Sequence, residues 1–476
     1  MTKRFSIAPR RGLARPVLVG LWSCLMLGPS LVQAQGWSYK EAAKPYAGTS
    51  IRVLDEITPL QETMKQLVPL FEEETGIKVD YELLGHADVI NKGQADLFSG
   101  RGYYDGIMLH GLQMGPLLAG KVLEPIDGFA SDAKLANPAL DASDFLQPAA
   151  GTLTQWGGKH YGYLTWNYNQ IYWARKDLLE DPQEQAAFKA RYGYDLAPAK
   201  TMDQLLDIAE FFTRKSGQTL AGKPLASDFY GIVMEGIPAG TTFTTLWENF
   251  LVNWGGGLYD AQGRPHFDSP ENIAAMTFWA KLWKYAPPGQ AEYSLVDVPT
   301  VMGNGIAAQS IAWSDFVLGI DKPGASALAG QFVYGGIPRN PAYQGARHAG
   351  GEPSLIAISK ASKKKEATFL FLQWLVDKET QAELIAKGAG GVPIRSSVFG
   401  LPALQNPETA SLYGAMKDTL EVLPAKPKLP KFFEIDTALA PIVQQVGLGR
   451  LTPEQAAKQG QAKLVSICGD KCTLDQ

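Results

Sequence analysis

The sequence predicts an α/β protein of two or three domains, and three observations carry that expectation. Short apolar strands alternate with amphipathic helices along the chain. Clusters of Gly and Pro punctuate them, notably Gly255-Gly256-Gly257, Pro287-Pro288-Gly289, Gly350-Gly351 and Gly388-Ala389-Gly390-Gly391. The length, 476 residues, exceeds one compact core, since a domain typically takes roughly 100–200 residues.

The first unit shows the pattern most clearly. Residues 36–48 are small and polar and read as a mobile lead-in. Ile51-Arg52-Val53-Leu54 is a short strand. Leu60, Met64, Leu67, Leu70 and Phe71 then fall on one helical face over 60–74. The acidic run Glu72-Glu73-Glu74 stops at Thr75-Gly76, and Ile77-Lys78-Val79 begins a second strand. Strand–helix–strand order implies a parallel unit with a right-handed crossover. A helical stretch around 86–99 leads to a third strand, 105–109. Later helices fit 201–214, 242–254, 270–285, 364–377 and 378–387; strands fit 230–235, 306–312, 332–336 and 354–359. No repeat of 20–50 residues is visible, which argues against a solenoid.

The N-terminus indicates the compartment. Lys3, Arg4, Arg10, Arg11 and Arg15 precede a short apolar run, Val17 to Leu27, and Val32-Gln33-Ala34 offers small residues before a cut. That is a secretory signal peptide over 1–34, with an uncleaved anchor as the alternative. Arg10-Arg11 hints only loosely at a twin-arginine route. Trp22 makes a poor lipoprotein context for Cys24. Nothing after residue 34 is long enough to span a bilayer. Without its five basic leader residues the chain keeps 39 basic against 48 acidic residues, a net of −9. No basic stripe remains, so nucleic acid is disfavoured as a partner. Cys468 and Cys472 can close a small disulfide in an oxidising compartment, and zinc lacks further ligands near them.

Four stretches, taken in order, resemble the family 1 extracellular solute-binding proteins, the sugar-binding group that includes maltose-binding protein. Phe71-Glu72-Glu73-Glu74-Thr75-Gly76-Ile77-Lys78-Val79 is similar to the family's "F-E-x-x-T-G-I-x-V" turn, and Tyr104-Asp105-Gly106-Ile107-Met108 to its strand ending at the cleft. Lys159 to Tyr163 with Ile171 to Leu179 is similar to the crossover into the second lobe, although Leu164 replaces the usual proline. Met302 to Trp313 is similar to the "G-x-x-A-M-x-x-x-x-x-W" strand, with Gln309 in place of methionine. The resemblance runs over about residues 50–460. It implies a two-lobed, type II periplasmic-binding-protein-like α/β fold with a ligand cleft between the lobes. The crossings would fall near Leu164, Ser354 and Val392, giving lobe 1 as 36–164 plus 354–392 and lobe 2 as 165–353 plus 393–476. It further implies a monomeric periplasmic protein, not an enzyme, that closes on a carbohydrate or polyol and delivers it to the permease subunits of an ABC importer.

Sugars and polyols combine hydroxyls with weakly apolar C–H faces, so aromatic platforms beside fixed donors and acceptors are the chemistry to look for. Trp313, at a strand end the family turns to the cleft, is a stacking candidate, and Asp315 a hydroxyl acceptor; the rival readings are a core tryptophan and a helix cap. Alanine at Trp313 is expected to weaken binding and leave the fold intact. Trp247 lies in a helix N-terminal region that lines the family's site. In Trp166-Asn167-Tyr168, after the first crossing, alternate side chains face opposite ways and one face would see ligand. Glu56 and His110 follow strands. Glu352 and Arg395 flank the other crossings, where an arginine bridges hydroxyls or joins a surface salt bridge.

Gly303-Asn304-Gly305-Ile306-Ala307-Ala308 matches a dinucleotide fingerprint only formally, because Ile306 to Ile311 read as the strand itself. There is no H-E-x-x-H, G-x-S-x-G or P-loop, and the five histidines are scattered. Neither cofactor nor metal is expected. Two alternatives remain open from sequence: a secreted carbohydrate-active enzyme, which would also pair tryptophans with carboxylates, and a binding protein serving a chemoreceptor.

Overall fold

The computed structural model describes residues 36–476 apart from 148, 168, 239–240, 322, 344–350, 389–390, 406–408, 421–427 and 474–476. The expected signal peptide, Cys24 and Tyr168 lie outside the described residues. Every element below belongs to the compact unit Trp37–Gln476. No described helix is long and apolar enough to cross a membrane.

The opening β–α–β unit forms as its sequence dictates. Strand β1 (Ser50–Glu56) runs parallel to β2 (Lys78–Leu84), with Ser50 opposite Lys78 and Glu56 opposite Leu84. Between them α1 (Pro59–Thr75) starts at the Thr58 cap with Pro59 in its first turn, and ends at Gly76 with φ 72°. Leu60, Met64, Leu67, Val68 and Phe71 are its buried face. Leu70 departs from expectation: it is 52% exposed, one step off the i, i+4, i+7 row that carries the others. The segment read as a mobile lead-in also differs. Ser38 caps a short helix, Tyr39–Ala43, and the buried Tyr39 hydroxyl donates to Asp377.

Helix α2 (His86–Ser99) leads to β3 (Gly106–His110), which joins β1 in parallel. The six-stranded sheet is completed by β4 (Leu123–Glu124) and β5 (Gly162–Trp166), which both pair with a strand from far along the chain, Ser354–Ser359. That strand also pairs antiparallel with β3, Ser354 opposite His110. Its apolar run, buried throughout, suits a strand covered on both faces.

A second, three-stranded antiparallel sheet is centred on β6 (Gln170–Arg175). Helix α3 (Thr241–Asn253) precedes its other strands in the chain, β7 (Gln309–Trp313) and β8 (Phe332–Gly335), which flank β6. With those strands numbered, Ser354–Ser359 is β9. The expected strand 306–312 begins three residues later than its apolar run suggests. The expected strand 230–235 is reduced to isolated parallel bridges, Tyr230 with Ala307 and Val233 with Ser310. Gly231 there sits against the main chain of Ala209, too close for any Cβ. Helices Pro270–Trp283, Phe432–Gly447 and Pro453–Cys468 pack around this half, their apolar faces sharing one core with Phe243, Phe250 and Trp279. Cys468 and Cys472 are joined in a disulfide at the end of the last helix.

Candidate functional site

Strands from both sheets end at one cavity of about 370 Å³. Glu56 ends β1, His110 ends β3 and Trp313 ends β7, and all three line it. Helix N-termini close in from the same side: Thr58 and Pro59 of α1, Gly85 and His86 of α2, and Thr242 of α3. Ligands in α/β folds sit at the carboxyl ends of strands for this geometric reason. The helix ends turn unpaired N–H groups and partial positive charge toward the cavity, which favours oxygen-rich ligands and carboxylates there.

Glu56 is held between two imidazoles. Its Oε2 lies 2.9 Å from His110 Nε2 and 3.1 Å from His86 Nδ1. Burial by itself raises the Glu56 carboxyl, but the hydrogen bonds from His110 and His86 outweigh it and hold the group down at about 2. Burial conversely lowers His86, yet its bond to Glu56 and the charges of Glu56, Glu352 and Glu235 leave it above the ordinary histidine range. His110 is oriented from behind by Ser354 Oγ on β9, 3.1 Å from Nδ1.

The opposite wall comes from β7. Trp313 is 4% exposed, and its Nε1–H donates to Glu235 Oε1 at 2.7 Å. Burial pushes Glu235 up to about 7 against the opposing hydrogen bonds from Thr242 and Trp313. Asp315, two residues past the strand, is likewise pushed by burial up to about 7. Its Oδ1 and the Oε1 of Glu352, which is 2% exposed, are buried without a described hydrogen-bond partner. Leu295, Val296 and Phe316 supply apolar surface beside these groups. Among the described residues, no lysine or arginine lines the cavity. The site therefore combines one indole face with several acceptors and two imidazoles, and Asp315 Oδ1 and Glu352 Oε1 have no described hydrogen-bond partner.

The family model described as bacterial extracellular solute-binding protein matches residues 55–382. The chain belongs to that family. This solute-binding protein is 26% identical to the probable amino-acid ABC transporter periplasmic-binding protein y4oP of Sinorhizobium fredii, over 95% of this chain and 97% of that protein. It is 23% identical to the erythritol/L-threitol-binding protein of Mycolicibacterium smegmatis, over 76% of this chain and 73% of that one. Its fold is that of an ABC transporter solute-binding protein from Agrobacterium radiobacter K84 solved in complex with ribitol, with a TM-score of 0.71, 22% identity, and coverage of 88% of this chain and 99% of that chain. The two-lobed type II architecture is thus the fold of this protein. The family is one of binding proteins, not enzymes, so the carbohydrate-active alternative gives way.

Of the residues singled out in the sequence, Glu56, His110, Trp313, Asp315 and Glu352 line the cavity of the solute-binding protein. Trp247, Trp166, Asn167 and Arg395 lie elsewhere, and Tyr168 is outside the described residues. Trp247 is buried edge-on to Phe267, 6.0 Å between ring centroids; the first turn of its helix, at Thr242, reaches the cavity instead. Trp166 is fully buried in the core around the six-stranded sheet. Asn167 is buried and bridges to Val392. Arg395 is 1% exposed, and its donors go to the carbonyls of Val376, Leu140 and Asp141. Neither a surface salt bridge nor a hydroxyl clamp describes it. Sequence reading missed His86, Thr242 and Glu235. His86 lies two residues beyond the end of β2 and opens the next helix, so the strand-end rule that selected Glu56 and His110 points close to it. Although scattered in sequence, His86 and His110 stand together, their ring centroids 4.8 Å apart.

Because Trp313 is packed as tightly as a core residue, the expectation that alanine spares the fold needs revision. Trp313→Ala is expected to cost about 3–5 kcal/mol of stability through the void it leaves, besides orphaning Glu235. Trp313→Phe keeps most of the volume and is the variant for binding measurements, with urea denaturation of both as the check.

Proposed function

We propose that this protein captures a small polyol or sugar by closing its two lobes around it, and presents the closed complex to the permease of an ABC importer. The observation that carries the reading is the cavity itself. Trp313 offers a flat apolar face beside Glu56 and beside Asp315 and Glu352, whose unmatched acceptors suit a ligand rich in hydroxyl donors. A relative is named for erythritol and L-threitol, and a structural neighbour holds ribitol; both ligands are short polyols. Discrimination would come from the cost, about 1–3 kcal/mol, of leaving a buried acceptor unpaired.

Three chain segments pass between the halves at one place. Trp166 pairs with Ser354, Asn167 bridges to Val392, and Asn169 bridges to Gly351. We take these as the hinge, with lobe 1 as 36–164 plus 354–392 and lobe 2 as 165–353 plus 393–476. Closure then follows from contacts that the ligand makes only when both lobes meet. In this reading residues 1–34 direct export to the periplasm and are removed, and the mature protein acts as a monomer.

A thermal-shift screen of the mature chain against erythritol, threitol, ribitol, mannitol and maltose tests the proposal. At a ligand concentration near 100 times the dissociation constant, binding adds about 2.7 kcal/mol and visibly raises the melting temperature. Trp313→Phe should weaken the binder measured by calorimetry, by roughly 10-fold for a lost stacking contact of about 1.4 kcal/mol. No shift with any polyol or sugar, or conversion of one to product, would end the reading.

A further inference from the structure

We propose that Glu56, His86 and His110 bind a divalent first-row transition-metal ion of the zinc, nickel or cobalt class, its open coordination face turned to the cavity. The three side chains come from three different elements, two strand ends and a helix first turn, and their ligand atoms all lie within 4.8 Å of one another. His110 Nε2 is 2.9 Å from Glu56 Oε2, and His86 Nδ1 is 3.1 and 3.2 Å from the two Glu56 oxygens. A tetrahedral ion with bonds of about 2.0–2.1 Å separates its ligand atoms by about 3.3 Å. The Glu56–imidazole separations match this within a few tenths of an ångström, and the two imidazole nitrogens, within 4.8 Å of each other, would draw together around the ion. Two imidazoles with one carboxylate suit late first-row metals, whereas magnesium and calcium ask for oxygen cages.

Two further observations favour an ion over a simple hydrogen-bonded trio. The first is orientation. Ser354 Oγ lies 3.1 Å from His110 Nδ1; without metal Nε2–H donates to Glu56, and on metal binding the proton would sit on Nδ1, where Ser354 accepts it, leaving Nε2 to bind the ion. Metal-binding imidazoles are fixed in this way by an outer partner. The second is charge. Glu56, Asp315 and Glu352 line the cavity with Glu235 behind Trp313, and among the described residues no lysine or arginine lines it. Asp315 Oδ1 and Glu352 Oε1 are buried without a described partner. A dication held by Glu56, His86 and His110 would favour the ionised form of these carboxyls. Three protein ligands leave at least one coordination position for water or for oxygen atoms of a bound solute, and adjacent hydroxyls of a polyol make a natural chelate. The site uses only this chain's own side chains, so it stands or falls separately from the identity of the solute.

The test uses tag-free mature protein, stripped with EDTA and titrated with zinc chloride by calorimetry, and with cobalt chloride followed by visible absorption. One ion per chain and a d–d spectrum of a four- or five-coordinate cobalt site are expected. His86→Gln and His110→Gln should each weaken binding more than about 100-fold, and Ser354→Ala by about 10- to 100-fold, as loss of an outer partner does. Trp313→Phe should keep the metal affinity, even if it loses the polyol. Absence of a stoichiometric zinc site in the wild-type protein would overturn the proposal. So would unchanged stoichiometry and affinity in both histidine variants, which would place the ion elsewhere.

Discussion

Arg395→Ala is expected to lower the unfolding free energy by about 3–5 kcal/mol, the range for stripping one partner from a buried charged network, while leaving ligand affinity unchanged. The guanidinium is spent on main-chain carbonyls of neighbouring segments. Its Nε donates to Val376 O at 2.6 Å, its Nη2 to Leu140 O at 2.8 Å, and its Nη1 to Asp141 O at 3.2 Å. Asp144 lies 3.4 Å from Nη1, and the group sits 4.3 Å above the centre of the Phe145 ring. Alanine removes every one of these donors and opens a void beside Phe145. Lysine keeps a charge but not the planar fork, so Arg395→Lys should recover only part of the loss. Urea denaturation of the three proteins, paired with calorimetry on any confirmed binder, checks this. A variant as stable as wild type but deficient in binding would put Arg395 at the ligand after all.

The second large effect concerns pH. Burial pushes the carboxyls of Asp315 and Glu235 up to about 7, from ordinary values of 3.8 and 4.5. From about pH 4 to 7 the folded protein keeps protons that the unfolded chain has released. Stability therefore falls as pH rises through that window and levels off above it, where both states are ionised. Each carboxyl contributes on the order of 3 kcal/mol. Glu56, held at about 2 against an ordinary 4.5, opposes this trend only at the acid end, where the unfolded carboxyl is still releasing its proton, and adds no slope once both states are ionised. Asp55, raised by burial to about 7, and Asp436, raised to about 6, act in the same direction, so the test compares variants. Metal-free wild-type protein should denature at lower urea at pH 8 than at pH 5. Asp315→Asn with Glu235→Gln should flatten that difference and raise stability at pH 8. Equal slopes in the wild type and the double variant would show that neither group is buried as the cavity requires.

Much of the architecture was legible because periodicity reports burial directly. The Leu60, Met64, Leu67, Phe71 row and the Gly76 stop define α1 without any tertiary information. Where the pattern misled, distant backbone was responsible: Gly231 lies against Ala209, and no local rule registers that approach. The site divided along the same line. Glu56, His110 and Trp313 were accessible because a strand's last residue faces the crevice. Trp247 was not, since a helical pattern finds the helix but does not say that Thr242 lines the cavity while the indole packs on Phe267. The donors of Arg395 reach carbonyls some 250 residues away in sequence. Its role is therefore invisible until the chain is folded.

Strand β9 has a kinetic consequence. Ser354 lies 244 residues after His110, beside which it must insert. Until it arrives, β3 and β5 have open edges and nothing to bind between them, so the N-terminal 166 residues cannot complete their own sheet. Closing so long a loop delays assembly and slows folding, as high contact order does in general. A growing polypeptide would therefore remain loosely organised until most of its length had been synthesised, which is the condition a chain needs to be threaded through a narrow passage.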